Sequence, residues 1–367
     1  MKVLILSTNT GQGHNTAGRA MLEALKRRGV DADMKDVLTF GSRRASEIIS
    51  GGYVRMTQNS PKTFGRLYRA GEAISSDKLR SPVYYANRLY AERLGEFISA
   101  NGYDTVLSPH LFGAEAMSFL RRRRGMKTRS FGIATDYVCT PFWEETDVDL
   151  FFIPHEKLRA DYERKGFAPE RLIATGIPVS HVFSEPIERT EARRTLSVPD
   201  SARVIMLMGG SMGFGDLPDI IGELLRRCGD DTRIFSLIGS NEKMASLLKE
   251  RFGSDGRLTV VPFTREVAVY MAASDVLLSK PGGLSSTEAA VKNIPLVHTA
   301  PIPGCETINA RFFDENGLSV GTFSPKESAL AALWLSSDSA ASERMLYAQR
   351  QNMNKNAADD ICSIIEG

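Results

Sequence analysis

The chain has 367 residues, 42% of them hydrophobic and 25% charged, with a formal net charge of +2 at pH 7. These fractions are those of an ordinary soluble globular protein, and the length suits two domains better than one core. No window approaches the ~20 apolar residues of a membrane-spanning helix, and no nucleic-acid partner is expected from so even a balance of charge.

The charge is nonetheless unevenly spread, with 27 Lys and Arg against 21 Asp and Glu in residues 1–185 and 19 against 23 afterwards. The N-terminal half is therefore the one to consider for an anionic surface. The four cysteines, Cys139, Cys228, Cys305 and Cys362, are widely spaced and form no C-x-x-C pair. They read as reduced thiols in a cytosolic protein. The first residues, MKVLILSTNTGQGH, read as a strand and loop, because the apolar run is too short for a signal peptide and lacks a cleavage pattern.

Val3–Leu6 is a continuous apolar strand of the kind buried on both faces of a parallel sheet. The loop Ser7–His14 leads into a helix with an apolar stripe of Ala17, Ala20, Met21, Ala24 and Leu25, and Ala32–Val37 follows as a second strand. Gly11 and Gly13 suggest a dinucleotide fingerprint, but Thr16 stands at the third glycine position, so that signal is poor. Residues 40–95 are helical in pattern and carry ten basic side chains against four acidic ones. Tyr53, Tyr68, Arg66 and Arg69 fall among them. Such a mixture is either a solvated face with its rings turned inward or a membrane-surface patch of cations and interfacial aromatics.

Thr105–Leu107 is another strand, and Ser108-Pro-His110 stands at its carboxyl end, where ligands collect in open α/β sheets. His110 is a candidate there or a plain surface histidine. Arg121–Arg124 reads as a solvated helix end or a second lipid contact. Ser130–Ala134 is a strand that runs into Thr135-Asp136-Tyr137, and Leu150–Pro154 is the next. Asp147 and Asp149 begin that strand and read poorly as a metal site. Residues 186–202 are polar with prolines around them, which places the interdomain linker there, between domains at 1–185 and 203–345.

The second domain opens on Arg203–Met208, a strand emptying into Gly209-Gly210-Ser211-Met212-Gly213. Ile234–Ile238 and Leu258–Pro262 are further strands, the latter ending at Phe263. The stretch around which the chain is organised comes next. Asp275–Leu278 ends a buried strand, Lys280-Pro281-Gly282-Gly283 breaks it, and Leu284, Ser285, Ser286 and Thr287 open a helix. A glycine turn that empties into a helix offers unpaired amides and the positive end of the dipole, which favours phosphate. Glu288, one turn in, repels phosphate but suits the hydroxyls of a sugar beside it. Pro295–Val297 is a short strand, Pro301-Ile-Pro-Gly304 a rigid loop, and Glu306 and Asn309 polar groups on the next helical turn. The last stretch, residues 346–367, reads as helix.

The run K-P-G-G-x-S-x-T-E-A, at 280–289, followed by P-x-P-G-x-E-x-x-N-A-x-F-F, at 301–313, resembles the donor half of glycosyltransferase family 28. Within that family the chain is most similar to the processive diacylglycerol glucosyltransferases and monogalactosyldiacylglycerol synthases, and more distantly to the peptidoglycan glucosaminyltransferase. The resemblance implies an α/β, GT-B fold, with two Rossmann-like doubly wound domains facing a cleft and a terminal helix that crosses back to the first. It also implies an inverting transfer of glucose or galactose from UDP-glucose or UDP-galactose to diacylglycerol or another lipid acceptor. No cofactor or metal is expected. The location implied is cytoplasmic, on the anionic inner face of the cell membrane.

Residue by residue, the resemblance puts Gly210 and Ser211 of G-G-S-x-G, with Gly13, against the donor diphosphate, and Phe263 beside the uracil. Gly282, Gly283, Leu284, Ser285 and Ser286 form the second diphosphate corner. Glu288 binds the ribose, and Gly304, Glu306 and Asn309 hold the transferred sugar. Asp136 and Tyr137 belong to a T-D-aromatic that faces the acceptor. The family follows it with a histidine-basic-aromatic run, where this chain has Val138–Trp143, ending in Trp143. Tyr53, Arg66, Tyr68 and Arg69 fall in the membrane-docking segment. Proton removal from the acceptor needs a base of near-neutral pKa, and His14 at the end of its glycine loop is the first candidate, Asp136 the second. A polyprenyl or natural-product acceptor, a non-catalytic UDP-sugar sensor and a nucleotide-sugar 2-epimerase are the competing readings.

Overall fold

The computed structural model describes residues 1–8, 12–41, 80–209 and 216–367. The chain divides into two compact units. The first comprises Met1–His181, Ile302–Cys305 and Asn356–Gly367, and the second Val182–Pro301 and Glu306–Lys355.

The first unit is built on a six-stranded sheet: β1 (Lys2–Ser7), β2 (Asp31–Asp36), β3 (Thr105–Ser108), β4 (Arg129–Ile133), β5 (Leu150–Ile153) and β6 (Leu172–Ala174). Their spatial order is β2-β1-β3-β4-β5-β6, and every pairing is parallel. Side chains alternate across a strand, so β1 feeds both layers. Val3 and Ile5 pack with Met21 and Leu25 of α1 (Gln12–Arg27) and with Ile361, Cys362 and Ile365 of the terminal helix (Ala357–Glu366). Leu4 and Leu6 face the other way, onto Tyr90, Leu94 and Ile98 of α2 (Pro82–Asn101) and Met117 and Leu120 of α3 (Leu111–Arg124). A Cβ on Gly113 would stand 2.8 Å from both Leu6 Cβ and Ser108 Oγ, so only glycine lets α3 lie this close to β1 and β3.

The second unit repeats the plan with β7 (Arg203–Met208), β8 (Thr232–Gly239), β9 (Leu258–Pro262), β10 (Val276–Ser279), β11 (Leu296–His298) and β12 (Val320–Gly321). The order is β12-β11-β10-β7-β8-β9, again all parallel. In each sheet the strand order reverses at one place, between β1 and β3 in the first and between β7 and β10 in the second. Those are the switch points at which open α/β sheets bind ligands.

Residues 186–202, where the linker is expected, hold a helix, Arg189–Thr195, and group with the second unit. Arg193 on this helix is 1% exposed. Its guanidinium donates to the carbonyls of Ala273 at 3.1 Å and Ala202 at 2.9 Å and to Asp275 at 3.1 Å. A charge so well partnered can be buried, which polarity counted along the sequence does not reveal. The C-terminal stretch is two helices and not one. Ser339–Asn352 groups with the second unit, and only Asn356–Gly367 with the first.

Candidate active site

At the switch point of the first unit, His14 sits in the opening turn of α1, just beyond β1. Leu107 of β3 lies opposite Ile5 of β1, and Ser108 opposite Gly132 of β4, so the chain leaves three adjacent strands side by side. Pro109 and Thr135 are therefore within reach of the imidazole, whose Nδ1 is 3.0 Å from the Pro109 carbonyl oxygen and 2.8 Å from Thr135 Oγ1. A carbonyl only accepts, so Nδ1 carries the proton and Nε2 the lone pair. Burial lowers the His14 pKa from 6.5 to about 4, partly offset by the Pro109 bond. The ring is thus a neutral lone-pair carrier at every pH above about 5, at a cost in basicity.

His110 stacks edge-on to His14, with ring centroids 4.6 Å apart. It caps α3, its Nδ1 accepting from the Phe112 amide at 3.2 Å. Burial and then the His14 charge push its pKa well below the usual value. Asp136 follows Thr135 directly and is partly exposed, so it shares this corner. Gly13 is partly exposed beside His14.

Tyr137 and Trp143, expected on the acceptor side, are 1% and 6% exposed. Trp143 packs edge-on against Phe151, 4.7 Å between centroids, in space that Gly132 leaves open. Neither ring is presented to solvent. Asp147 and Asp149 are engaged by arginines, Asp149 with Arg121 at 2.6 Å and Asp147 with Arg122 at 3.6 Å. Among the described residues no group of three or more His, Cys, Asp or Glu is placed to hold a metal.

On the outer side of this unit, α2 exposes Tyr85 and Leu89 beside Arg88, and α3 exposes Arg123 and Arg124. Tyr85, Arg88, Arg123 and Arg124, with Tyr84, Phe119 and Glu92, line a shallow pocket of about 470 Å³. The Tyr84 ring itself has the guanidinium groups of Arg80 and Arg122 over it, 5.6 and 5.9 Å from its centroid. Tyr53, Arg66, Tyr68 and Arg69 lie outside the described residues, as do Gly210 and Ser211.

In the second unit, Met208 of β7 stands opposite Ser279 of β10, so Gly209 and Lys280 leave the sheet as neighbours. Beyond Lys280 the helix Gly283–Lys292 begins on Gly282, with no side chain capping it. Its first intrahelical amide is Ser286, which donates to the Gly282 carbonyl at 3.0 Å. The amides of Gly283, Leu284 and Ser285 precede that bond and have no carbonyl of their own helix to use.

Lys280 reaches over this turn to Glu306 at 2.6 Å, with both side chains largely buried. Asn309, one helical turn beyond Glu306 and fully buried, gives its Nδ2 hydrogen to the Pro281 carbonyl at 3.1 Å. It therefore fixes the P-G-G loop. Gly304 takes φ +124° in the turn that opens the helix Cys305–Glu315. Ser286 Oγ points inward, 2.9 Å from His298 Nε2, while Ser285 is partly exposed. Glu288 is 9% exposed, and Phe263, just past β9, is 69% exposed.

Thr135, Lys280 and His298 were given no role in the sequence reading. Thr135 and Lys280 lie inside motifs already noticed, so adjacency could have found them. His298 has no such signal, since its partners are 12 and 21 residues away.

Two family models match the sequence: monogalactosyldiacylglycerol (MGDG) synthase over residues 14–179, and the glycosyltransferase family 28 C-terminal domain over residues 204–322. The chain is 23% identical over 322 residues to the processive diacylglycerol beta-glucosyltransferase of Bacillus subtilis strain 168, covering 87% of this chain and 82% of that protein. Among solved structures it is similar to MurG of Acinetobacter baumannii, with TM-score 0.62, 16% identity and coverage of 100% and 99%. It is also similar to UDP-GlcNAc 2-epimerase from Neisseria meningitidis bound to UDP-GlcNAc, with TM-score 0.65, 14% identity and full coverage of both chains. At these identities the structures speak for the fold alone, which is GT-B, two Rossmann-like α/β domains. With its first half matching the MGDG synthase model and its second the family 28 C-terminal domain, the chain belongs to glycosyltransferase family 28.

Proposed function

We propose that this protein is an inverting hexosyltransferase that needs no metal and moves glucose or galactose from its UDP form to diacylglycerol at the membrane surface. The observation that carries the proposal is the corner at the second switch point, where three first-turn amides and Lys280 offer fixed positive ends to a diphosphate. The name of the Bacillus subtilis relative supports the lipid acceptor.

In the reaction, the acceptor oxygen attacks the anomeric carbon as the bond from that carbon to the diphosphate oxygen breaks. UDP leaves with the bonding pair, and its growing charge is met by the first-turn amides, while Lys280 holds the diphosphate already in the bound donor. The acceptor proton passes to Nε2 of His14, with Asp136 as the alternative base. Glu306 and Glu288 supply carboxylates for sugar hydroxyls, and Phe263 an open ring face for the base. Tyr85, Arg88, Leu89 and Arg123 suit a membrane surface. No described helix is long and apolar enough to cross one.

One feature favours a different hydrophobic acceptor, such as a polyprenyl or natural-product alcohol: Val138–Trp143 lacks the family's histidine-basic-aromatic run and buries its tryptophan. The test is to incubate the protein with radiolabelled UDP-glucose or UDP-galactose and liposomes containing diacylglycerol, with and without EDTA. Label in the organic phase, unchanged by EDTA, is expected. UDP-sugar binding with no transfer would mark a sensor, and released epimerised sugar nucleotide an epimerase.

A further inference from the structure

His298 is the last residue of β11 and is fully buried. Both ring nitrogens are engaged by hydroxyls from different elements. Nε2 is 2.9 Å from Ser286 Oγ in the helix that begins at Gly283, and Nδ1 is 3.0 Å from Ser319 Oγ, just before β12. The ring also lies 5.2 Å from that of Phe313. Phe313 is on the helix Cys305–Glu315, two turns from Glu306 and one from Asn309. One imidazole thus touches both helices to which the donor is assigned, and it does so from beneath.

We infer that His298 is a positioning residue for the donor site, holding the first turn of the helix Gly283–Lys292 in register with the helix that carries Glu306. The inference rests on the reading of this corner as a donor site. A neutral imidazole has one N–H and one lone pair, and each serine hydroxyl both donates and accepts, so the chain Ser286–His298–Ser319 is fully satisfied. Burial lowers the His298 pKa to about 3, so this pattern does not change across the working range of pH. Ser286 is the residue after the three amides assigned to the diphosphate, so releasing its hydroxyl frees the turn that carries them. A misplacement of about half an ångström is enough to weaken such a site.

The test measures UDP binding by calorimetry, and donor KM and kcat where transfer is observed, for the wild type, H298L, H298Q, S286A and the double variant H298L/S286A. H298L and S286A should each weaken UDP binding about tenfold and raise donor KM while kcat stays within about twofold. The double variant should be no worse than the weaker single one, because both remove the same link. H298Q, whose amide can still bond Ser286, should recover part of the loss. Additive losses, or a lowered melting temperature with UDP affinity unchanged, would show that His298 only packs the core. Should H298L not fold, S286A alone decides, since unchanged UDP binding there also overturns the inference. A wild-type protein that binds no UDP would instead overturn the reading of the corner itself.

Discussion

The proton on His14 is placed by a group that cannot give one. Because the Pro109 carbonyl occupies Nδ1, the reactive nitrogen is Nε2, and burial keeps it unprotonated down to about pH 4. If this ring is the base, kcat/KM should stay level from pH 8 to about 5 and fall only as pH drops through about 4. A limb centred near 6.5 would place the base elsewhere or show the ring open to water. His14→Ala should lower kcat by on the order of a hundredfold or more, with UDP affinity within about twofold of the wild type, as calorimetry can check. Lys280 answers to the opposite signature. It is held against Glu306 at 2.6 Å, beside the turn assigned to the diphosphate in the proposed reaction. Lys280→Met should raise donor KM about tenfold, an effect on the order of 1.4 kcal/mol, and a KM unchanged beside a collapsed kcat would remove it from ground-state binding.

At the scale of elements, strands and loops were legible where composition changes abruptly. The apolar run into Lys280-Pro-Gly-Gly gave both the end of β10 and the start of the helix after it, because proline and glycine cannot continue either. What the sequence could not show was pairing between distant elements. Arg193 reads as a linker residue until the carbonyls around it are seen, and nothing along the sequence pairs Ser286 with His298. The burial of Trp143 was hidden for a related reason, since an aromatic after a strand can turn either way and the space left at Gly132 receives this one.

Most of the basic and aromatic segment lies outside the described residues, while α2 and α3 expose arginines beside Tyr85 and Leu89. Replacing Arg88 and Arg123 with Glu should weaken binding to anionic liposomes about tenfold or more in low salt, at roughly 1 kcal/mol per basic residue. The difference should shrink as salt screens it. Equal sedimentation of variant and wild type would return this face to plain solvation.

For the molecule as a whole, buried ionisable groups set a pH window for stability, and they pull in opposite directions. The pKa values of His14, His110 and His298 are lowered by burial, so below about 6.5 the unfolded chain takes up protons that the folded one refuses. Stability is lost on that side as pH falls, by about 1.4 kcal/mol per unit for a group as buried as His298.

Glu115 acts the other way. It is fully buried in the middle of α3, and neither oxygen makes a well-aligned hydrogen bond. Burial first, then the nearby Glu145 carboxyl, pushes its pKa up to about 10. The folded protein therefore keeps a proton that the unfolded chain releases above about 4.5, and stability drains away as pH rises through the neutral range. Glu145 is itself occupied in accepting the Ser81 amide at 2.7 Å and the Ser81 hydroxyl, which cap α2. A neutral neighbour suits that carboxylate better than a second charge does. The histidine slope prevails below about 6.5 and the Glu115 slope above about 7, so unfolding by denaturant should find the protein most stable near neutral pH. Glu115→Gln supplies an N–H to Glu145 with no proton to be taken up, so the alkaline slope should flatten. The variant should be more stable than the wild type at pH 8.5 by on the order of 5 kcal/mol, at about 1.4 kcal/mol per unit, and nearly equal to it at pH 5. Parallel profiles for the two proteins would mean that Glu115 is ionised and solvated in the native state.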